Sequence, residues 1–226
     1  MSLAVSGLSP EIWHADTGVR EPASYRIEGG RTLVELHMVP DDAQFILLSG
    51  GADVQSRIIP APEVKELCTV YGAWDVSFQS GRGAPESTTL MALKSLSECE
   101  EEGIRYFSGT ASYSKTFLFG PLPERGSLFI DLGDVHHMAR VFLNGTDLGL
   151  AWKTPYRVDA TGVLREGWND LRIEVTDSWA NRLIGDAKKP LSEAVTYTPH
   201  QFYLPTAEPI PSGLVGPVRV LGVDAE

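Results

Sequence analysis

Apolar and polar residues alternate with a period of two along most of the chain, the repeat of a strand with one dry and one wet face. Trp74, Val76 and Phe78 alternate with Asp75 and Ser77, which predicts a buried Trp74. Ala111, Tyr113, Lys115 and Phe117 alternate with Thr110, Ser112, Ser114 and Thr116. The same beat recurs at Leu128, Ile130 and Leu132, at Ala139, Val141 and Leu143, at Leu171, Ile173 and Val175, and at Val218 and Val220. Asn144-Gly145 stands between the third of these runs and Leu148, Leu150 and Trp152. Both central residues of a two-residue hairpin turn need positive φ, which Asn and Gly adopt most cheaply, so a hairpin is expected there.

Nearer the start, Leu36 and Met38 extend a strand-like run from Leu33, and Phe45–Leu48 reads as a short buried strand after Pro40-Asp41-Asp42. Residues 50–66 hold two glycines with Pro60 and Pro62, a candidate linker. The expected division is a partial β domain with its linker over 1–66 and a second domain over 67–226. Helical spacing is confined to Leu90, Leu93 and Leu96, enough for one turn or two. Many short strands without βαβ alternation predict an all-β, antiparallel β-sandwich and exclude a (β/α)8 barrel within this chain.

Composition narrows the partners. A formal net charge of -11 argues against nucleic acid, whose binding depends on Lys and Arg neutralising phosphates. Cys68 and Cys99 are too few to form a disulfide framework. No basic-then-apolar leader opens the sequence and no 18-residue apolar run appears, so neither an export signal nor a membrane partner is expected here. Met1-Ser2-Leu3 reads as an expression leader joined to an internal fragment.

Chemical motifs are sparse. No G-x-S-x-G, H-E-x-x-H or phosphate loop occurs. His136 and His137 are adjacent and would face opposite ways on a strand, which prevents joint ligation of a metal. Asn144, Gly145, Gly167 and Asn169 read as turn formers, and Asp159 and Thr161 as caps of local backbone donors. Asn144-Gly145-Thr146 also spells a glycosylation sequon, a coincidence of turn chemistry. Trp152, Tyr156, Trp168 and Trp179 could stack on a sugar ring. One such contact is far from the roughly -4 kcal/mol of millimolar binding, so a site needs an aromatic plus convergent polar groups. The candidate carbohydrate-binding cluster is drawn from Trp152, Tyr156, Trp179, Asn181 and Arg182; for Arg182 with Asp186, bracing of neighbouring loops is the favoured reading and bonding to sugar hydroxyls the alternative.

Residues 142–179, FLNGTDLGLAWKTPYRVDATGVLREGWNDLRIEVTDSW, resemble the sugar-binding domain of glycoside hydrolase family 2. YFSGTASYSKTF (106–117), FIDLG (129–133), NRLIGD (181–186) and SGLVGPVRV (212–220) resemble still more the C-terminal region of family 106 α-L-rhamnosidases. The resemblance implies a galactose-binding-like jelly roll, in which a loop calcium held by Asp131 or Asp134 is conceivable. PEIWHADTG (10–18) and DDAQFILL (41–48) resemble the tail of the β domain that precedes this module. Such relatives carry their catalytic carboxylates on a separate barrel. The expectation is therefore a non-catalytic carbohydrate-binding or structural module of an exported, periplasmic or extracellular, glycoside hydrolase. Its partner is a saccharide or the parent's own catalytic domain. A free-standing lectin-like protein and a glycosidase active in itself are the alternatives.

Overall fold

The structure is a computed structural model that describes residues 1–224. Two compact units divide the chain, one over Met1–Pro62 and one that begins at Glu63.

The second unit is an antiparallel β-sandwich. One sheet has six strands, in the spatial order Ser87–Leu90, Trp74–Phe78, Thr110–Phe119, Gly167–Thr176, Met138–Leu143 and Thr146–Ala151. The other has four, in the order Arg157–Asp159, Ser127–Asp131, Arg219–Asp224 and Glu63–Thr69. A single core joins them: Trp74, Val76, Tyr113, Val141 and Ile173 from the first sheet meet Leu128, Ile130, Val158 and Val220 from the second. Trp74 is buried, as its alternating neighbours require. Ile173 sits mid-strand with no exposed surface, so its truncation to alanine would cost about 2–5 kcal/mol through lost burial and a residual cavity.

Turn chemistry closes the sandwich as the sequence anticipates. Leu143 pairs with Thr146, leaving Asn144 (φ 52°) and Gly145 (φ 80°) as the two-residue turn. Asn144 also donates to the Val163 carbonyl and to Asn169 Oδ1, and its own Oδ1 accepts from the Asp170 N–H. The side chain of the sequon asparagine is thus fully committed to joining two turns. Asp159 Oδ1 accepts the Thr161 N–H at 2.8 Å, and Thr161 Oγ1 accepts from the Leu128 N–H, the local capping expected of Asp-x-Thr.

Several expectations need correction. Glu63–Thr69 is a strand of the four-stranded sheet, and Ser56–Arg57 pairs with Tyr25–Glu28, so much of the expected linker is hydrogen-bonded sheet. Pro60 and Pro62 interrupt only the short stretch between those strands. Leu90 ends a strand, while helix is limited to a 3-10 turn at Leu96–Glu98 and to α1 at Glu102–Arg105. A second helix, α2 at Ala180–Ala187, was not anticipated. His136 and His137 lie in a bend between strands, with His137 at φ 74°, so strand alternation does not govern where they point.

The first unit contains a four-stranded sheet in the order Ser2–Leu3, Arg31–Val34, Tyr25–Glu28, Ser56–Arg57, and a three-stranded one in the order Arg20–Pro22, Leu8–His14, Gln44–Gly51. Ile12, Ala23, Tyr25 and Val34 form its small core. The strand from Arg31 stops at Val34, short of Leu36 and of the exposed Met38. Phe45 to Leu48 is a strand but not a buried one: Phe45 is 65% exposed and Leu47 38%. All four residues are apolar, so no polar partner in the alternation marks which face is open.

Candidate functional site

Between α2 and the strand Leu214–Gly216 runs a long connection whose only regular piece is the 3-10 turn Leu191–Glu193. A loop of that length holds a shape only if side chains tie it down, and α2 supplies the ties. Asn181 Nδ2 donates to the Ile210 carbonyl at 2.8 Å, and its Oδ1 accepts the Ile210 N–H at 2.8 Å. Arg182 and Asp186 form a buried i, i+4 ion pair at 3.0 Å, and Asp186 Oδ2 turns outward to Thr196. Ser108 Oγ accepts the Arg182 N–H, satisfying one of the donors that a helix start leaves without an intrahelical acceptor.

The Gly81–Pro85 loop packs against this helix because Gly83 has no side chain. A Cβ there would lie 2.7 Å from Arg182 Nη1 and 3.2 Å from Val195 Cγ2. Gly103, at the start of α1, admits the Gly83 carbonyl, which would stand 2.4 Å from a Cβ. Held in this way, Arg82 lays its guanidinium over the Trp179 ring at 4.3 Å. The result is a cleft of about 400 Å³ lined by Arg82, Trp179, Leu183, Val195, Thr196, Tyr197 and Thr198. Tyr197 is 88% exposed, an aromatic open to contact. A neighbouring hollow of about 430 Å³ shares Leu183, Thr196 and Thr198 and adds Asp186, His200 and Phe202.

The five residues singled out in the sequence take different places. Trp179 lines the cleft and is half exposed. Asn181 and Arg182 are buried at 2% and 3%, and they shape the cleft from behind by bracing its loop. Trp152 is half exposed in the connection after Thr146–Ala151, near Lys153, and Tyr156 packs against the core; neither lines the cleft. Arg82 and Tyr197 were missed. A lone arginine within Gly-Arg-Gly was the available signal for the first, and Tyr197, between two threonines, gave none.

Other polar groups settle into structural roles. Asp131 Oδ2 accepts two hydrogen bonds from Arg157, and its Oδ1 accepts the Gly133 N–H, so the cation beside it makes it a poor calcium ligand. Asp134 lies 3.8 Å from His136, and among the described residues no group of three or more His, Cys, Asp or Glu is arranged to hold a metal. Asp177 is buried; both its oxygens accept the Gly213 N–H, and His137 Nδ1 lies 3.6 Å away. Burial pushes its carboxyl above the usual range, against the opposing pull of that N–H and of the two histidines. Cys68 and Cys99 are free thiols, each raised chiefly by burial. No helix among the described residues is long and apolar enough to cross a membrane.

The second unit is thus an antiparallel sandwich with a loop-borne aromatic cleft, and the chain resembles parts of larger glycosidases. No family model matches the chain. It is 39% identical over 182 residues to a protein of Formosa agariphila provisionally named a beta-glucuronidase, a match covering 70% of this chain and 16% of that protein. A solved rhamnosidase from Novosphingobium sp. PP1Y matches 97% of this chain at 42% identity and a TM-score of 0.86, covering 21% of that chain. An uncultured Clostridium sp. beta-glucuronidase matches 75% of this chain and 30% of its own at 20% identity and a TM-score of 0.50, a likeness of fold alone. The chain is a glycoside hydrolase-related domain, and it spans about a fifth of the length of the first two relatives.

Proposed function

We propose that the chain is a non-catalytic module of a glycoside hydrolase, α-L-rhamnosidase-like or β-galactosidase-like, folded as a galactose-binding-like jelly roll, and that its α2 loop contacts saccharide. The cleft between Arg82, Trp179 and Tyr197 carries this reading. Its two aromatics suit the apolar face of a pyranose, and its two threonine hydroxyls, whose protons go to Asp186 Oδ2 and the His200 carbonyl, keep lone pairs to accept from sugar hydroxyls. Hydrolysis calls for two carboxylates across a cleft, and the lining here has none. The parent would be exported and would carry its catalysis on another domain. A glycan array followed by calorimetry tests the reading: weak binding that Trp179→Ala abolishes supports it. Turnover of aryl α-L-rhamnosides or β-galactosides by the purified chain would overturn the non-catalytic assignment.

A second use of the same loop has its own observation. Leu191 is 89% exposed, and Phe202 and Leu204 are also open to solvent, apolar surface of the kind that covers itself against a partner. A parent's catalytic domain is the expected occupant. Silence across the array would favour that purely structural role.

A further inference from the structure

The cleft carries a single formal charge, and it is positive. Its lining contains Arg82 and no carboxylate, in a chain where 30 acidic residues outnumber 19 basic ones. Nearby acids are already taken: Asp186 by Arg182 and Thr196, and Glu102 by Lys189. Several other arginines of this unit pair with acids, among them Arg140 with Asp147, Arg157 with Asp131 and Arg219 with Glu66, whereas Arg105 donates to backbone carbonyls. Arg82 does neither. Among the described residues it pairs with no carboxylate and donates to no protein acceptor, its one partner being the Trp179 ring.

Stacking does not use up a guanidinium. It occupies the π face and leaves the N–H groups, which lie in the plane, pointing outward as a fork that fits a planar anion. It also fixes the side chain in advance, lowering the entropy lost when a ligand arrives. Gly109 leaves room beside the Arg82 side chain: a Cβ there would lie 2.8 Å from Gln79 Oε1 and 3.5 Å from Arg82 Cγ. The overall charge of -11 opposes an anion only at range. At physiological salt that opposition is screened beyond about 8 Å, whereas a pair in contact is screened much less.

We propose that this cleft selects an anionic saccharide, its carboxylate or sulfate pairing with Arg82 while the sugar ring packs on Tyr197. The inference rests on the saccharide-contacting reading above and adds the class of sugar. A neutral glycan would leave the arginine fork solvated and gain nothing from it; an acidic one forms a charge-assisted pair on a preorganised partner.

The test is titration calorimetry of the intact chain with three probes: an oligogalacturonate, a sulfated galactan oligosaccharide and a neutral galacto-oligosaccharide of equal length. An acidic probe should bind about tenfold more tightly than the neutral one, and the preference should shrink as salt rises. Preference for the galacturonate identifies the anion as a carboxylate, and preference for the galactan identifies a sulfate. Arg82→Met should remove the preference, bringing the acidic probe down to the affinity of the neutral one; should that variant fold poorly, Arg82→Lys and the salt series carry the test. Equal affinity for all three probes, or a preference that survives Arg82→Met, overturns the inference and leaves the saccharide-contacting reading standing. No binding of any probe would bring down both.

Discussion

Asp186 Oδ2 accepts both donors of Thr196, the backbone N–H at 2.8 Å and the hydroxyl at 2.6 Å, while its carboxylate pairs with buried Arg182. One side chain therefore neutralises a cation and anchors the loop that carries Tyr197. Asp186→Ala would leave the arginine buried without a counter-charge, a loss of about 3–5 kcal/mol. Thr196→Val removes only the hydroxyl bond and should cost about 1 kcal/mol. Urea unfolding measures both, and hydrogen exchange at the Thr196 amide should rise sharply in the first variant and little in the second. Equal losses would show that the ion pair contributes nothing beyond the loop anchor.

Tyr113 makes a comparable tie inside the sandwich. Its buried hydroxyl accepts the Leu214 N–H at 3.2 Å, and burial drives the phenol well above its ordinary range. Tyr113→Phe strips the acceptor from a buried donor, which should cost about 1–3 kcal/mol with an unchanged denaturant slope. A loss below a few tenths would mean that Leu214 finds another acceptor.

Strand periodicity carried most of the fold because the central sandwich strands bury one face only: Thr110–Phe119 shows its alternation almost residue by residue, while the edge strand Glu63–Thr69 buries no residue. Phe45 to Leu48 defeated the same reasoning, since an all-apolar run has no phase. α2 escaped notice for a different cause. It has eight residues, and two of the side chains it buries, Asn181 and Arg182, are polar, so its inward face does not look apolar. The candidate site was half legible. NRLIGD stood out as a motif, but its work is to tether Thr196 and Ile210, 10 and 29 residues from their partners. No local pattern announces a contact of that span, and the cleft residues Arg82 and Tyr197 meet only once those tethers are made.

Gly83 and Gly162 both have positive φ, at 84° and 75°, but differ in what surrounds them. Gly162 has nothing within 4 Å of a would-be Cβ, so Gly162→Ala should cost only the left-handed strain, about 1 kcal/mol. Gly83→Ala adds a clash with the pinned guanidinium of Arg182 and should cost at least about 1 kcal/mol more, with the preference for an acidic saccharide weakened as Arg82 shifts. Paired thermal melts decide this; equal costs would show that the Gly81–Pro85 loop yields freely.

Asp177 gives the pH dependence a definite sign. Burial is the largest influence on its carboxyl and raises it; the Gly213 N–H, His137 and His136 pull the other way without prevailing. In the unfolded chain the group titrates near the ordinary aspartate value of about 3.9. The folded state therefore favours the protonated form, and the stability this contributes is fully present below that value and lost as pH rises through the higher folded one. Asp177→Asn fixes the neutral state while keeping one oxygen for the Gly213 N–H. Relative to the variant, the natural protein should be most stable in acid and lose ground steadily above about pH 4, as read from urea unfolding across pH 4 to 8. Taking the difference cancels every other titrating group that the substitution leaves undisturbed. A difference that instead grows in favour of the natural protein with pH would mean that the Gly213 N–H and the two histidines outweigh burial and lower the Asp177 carboxyl.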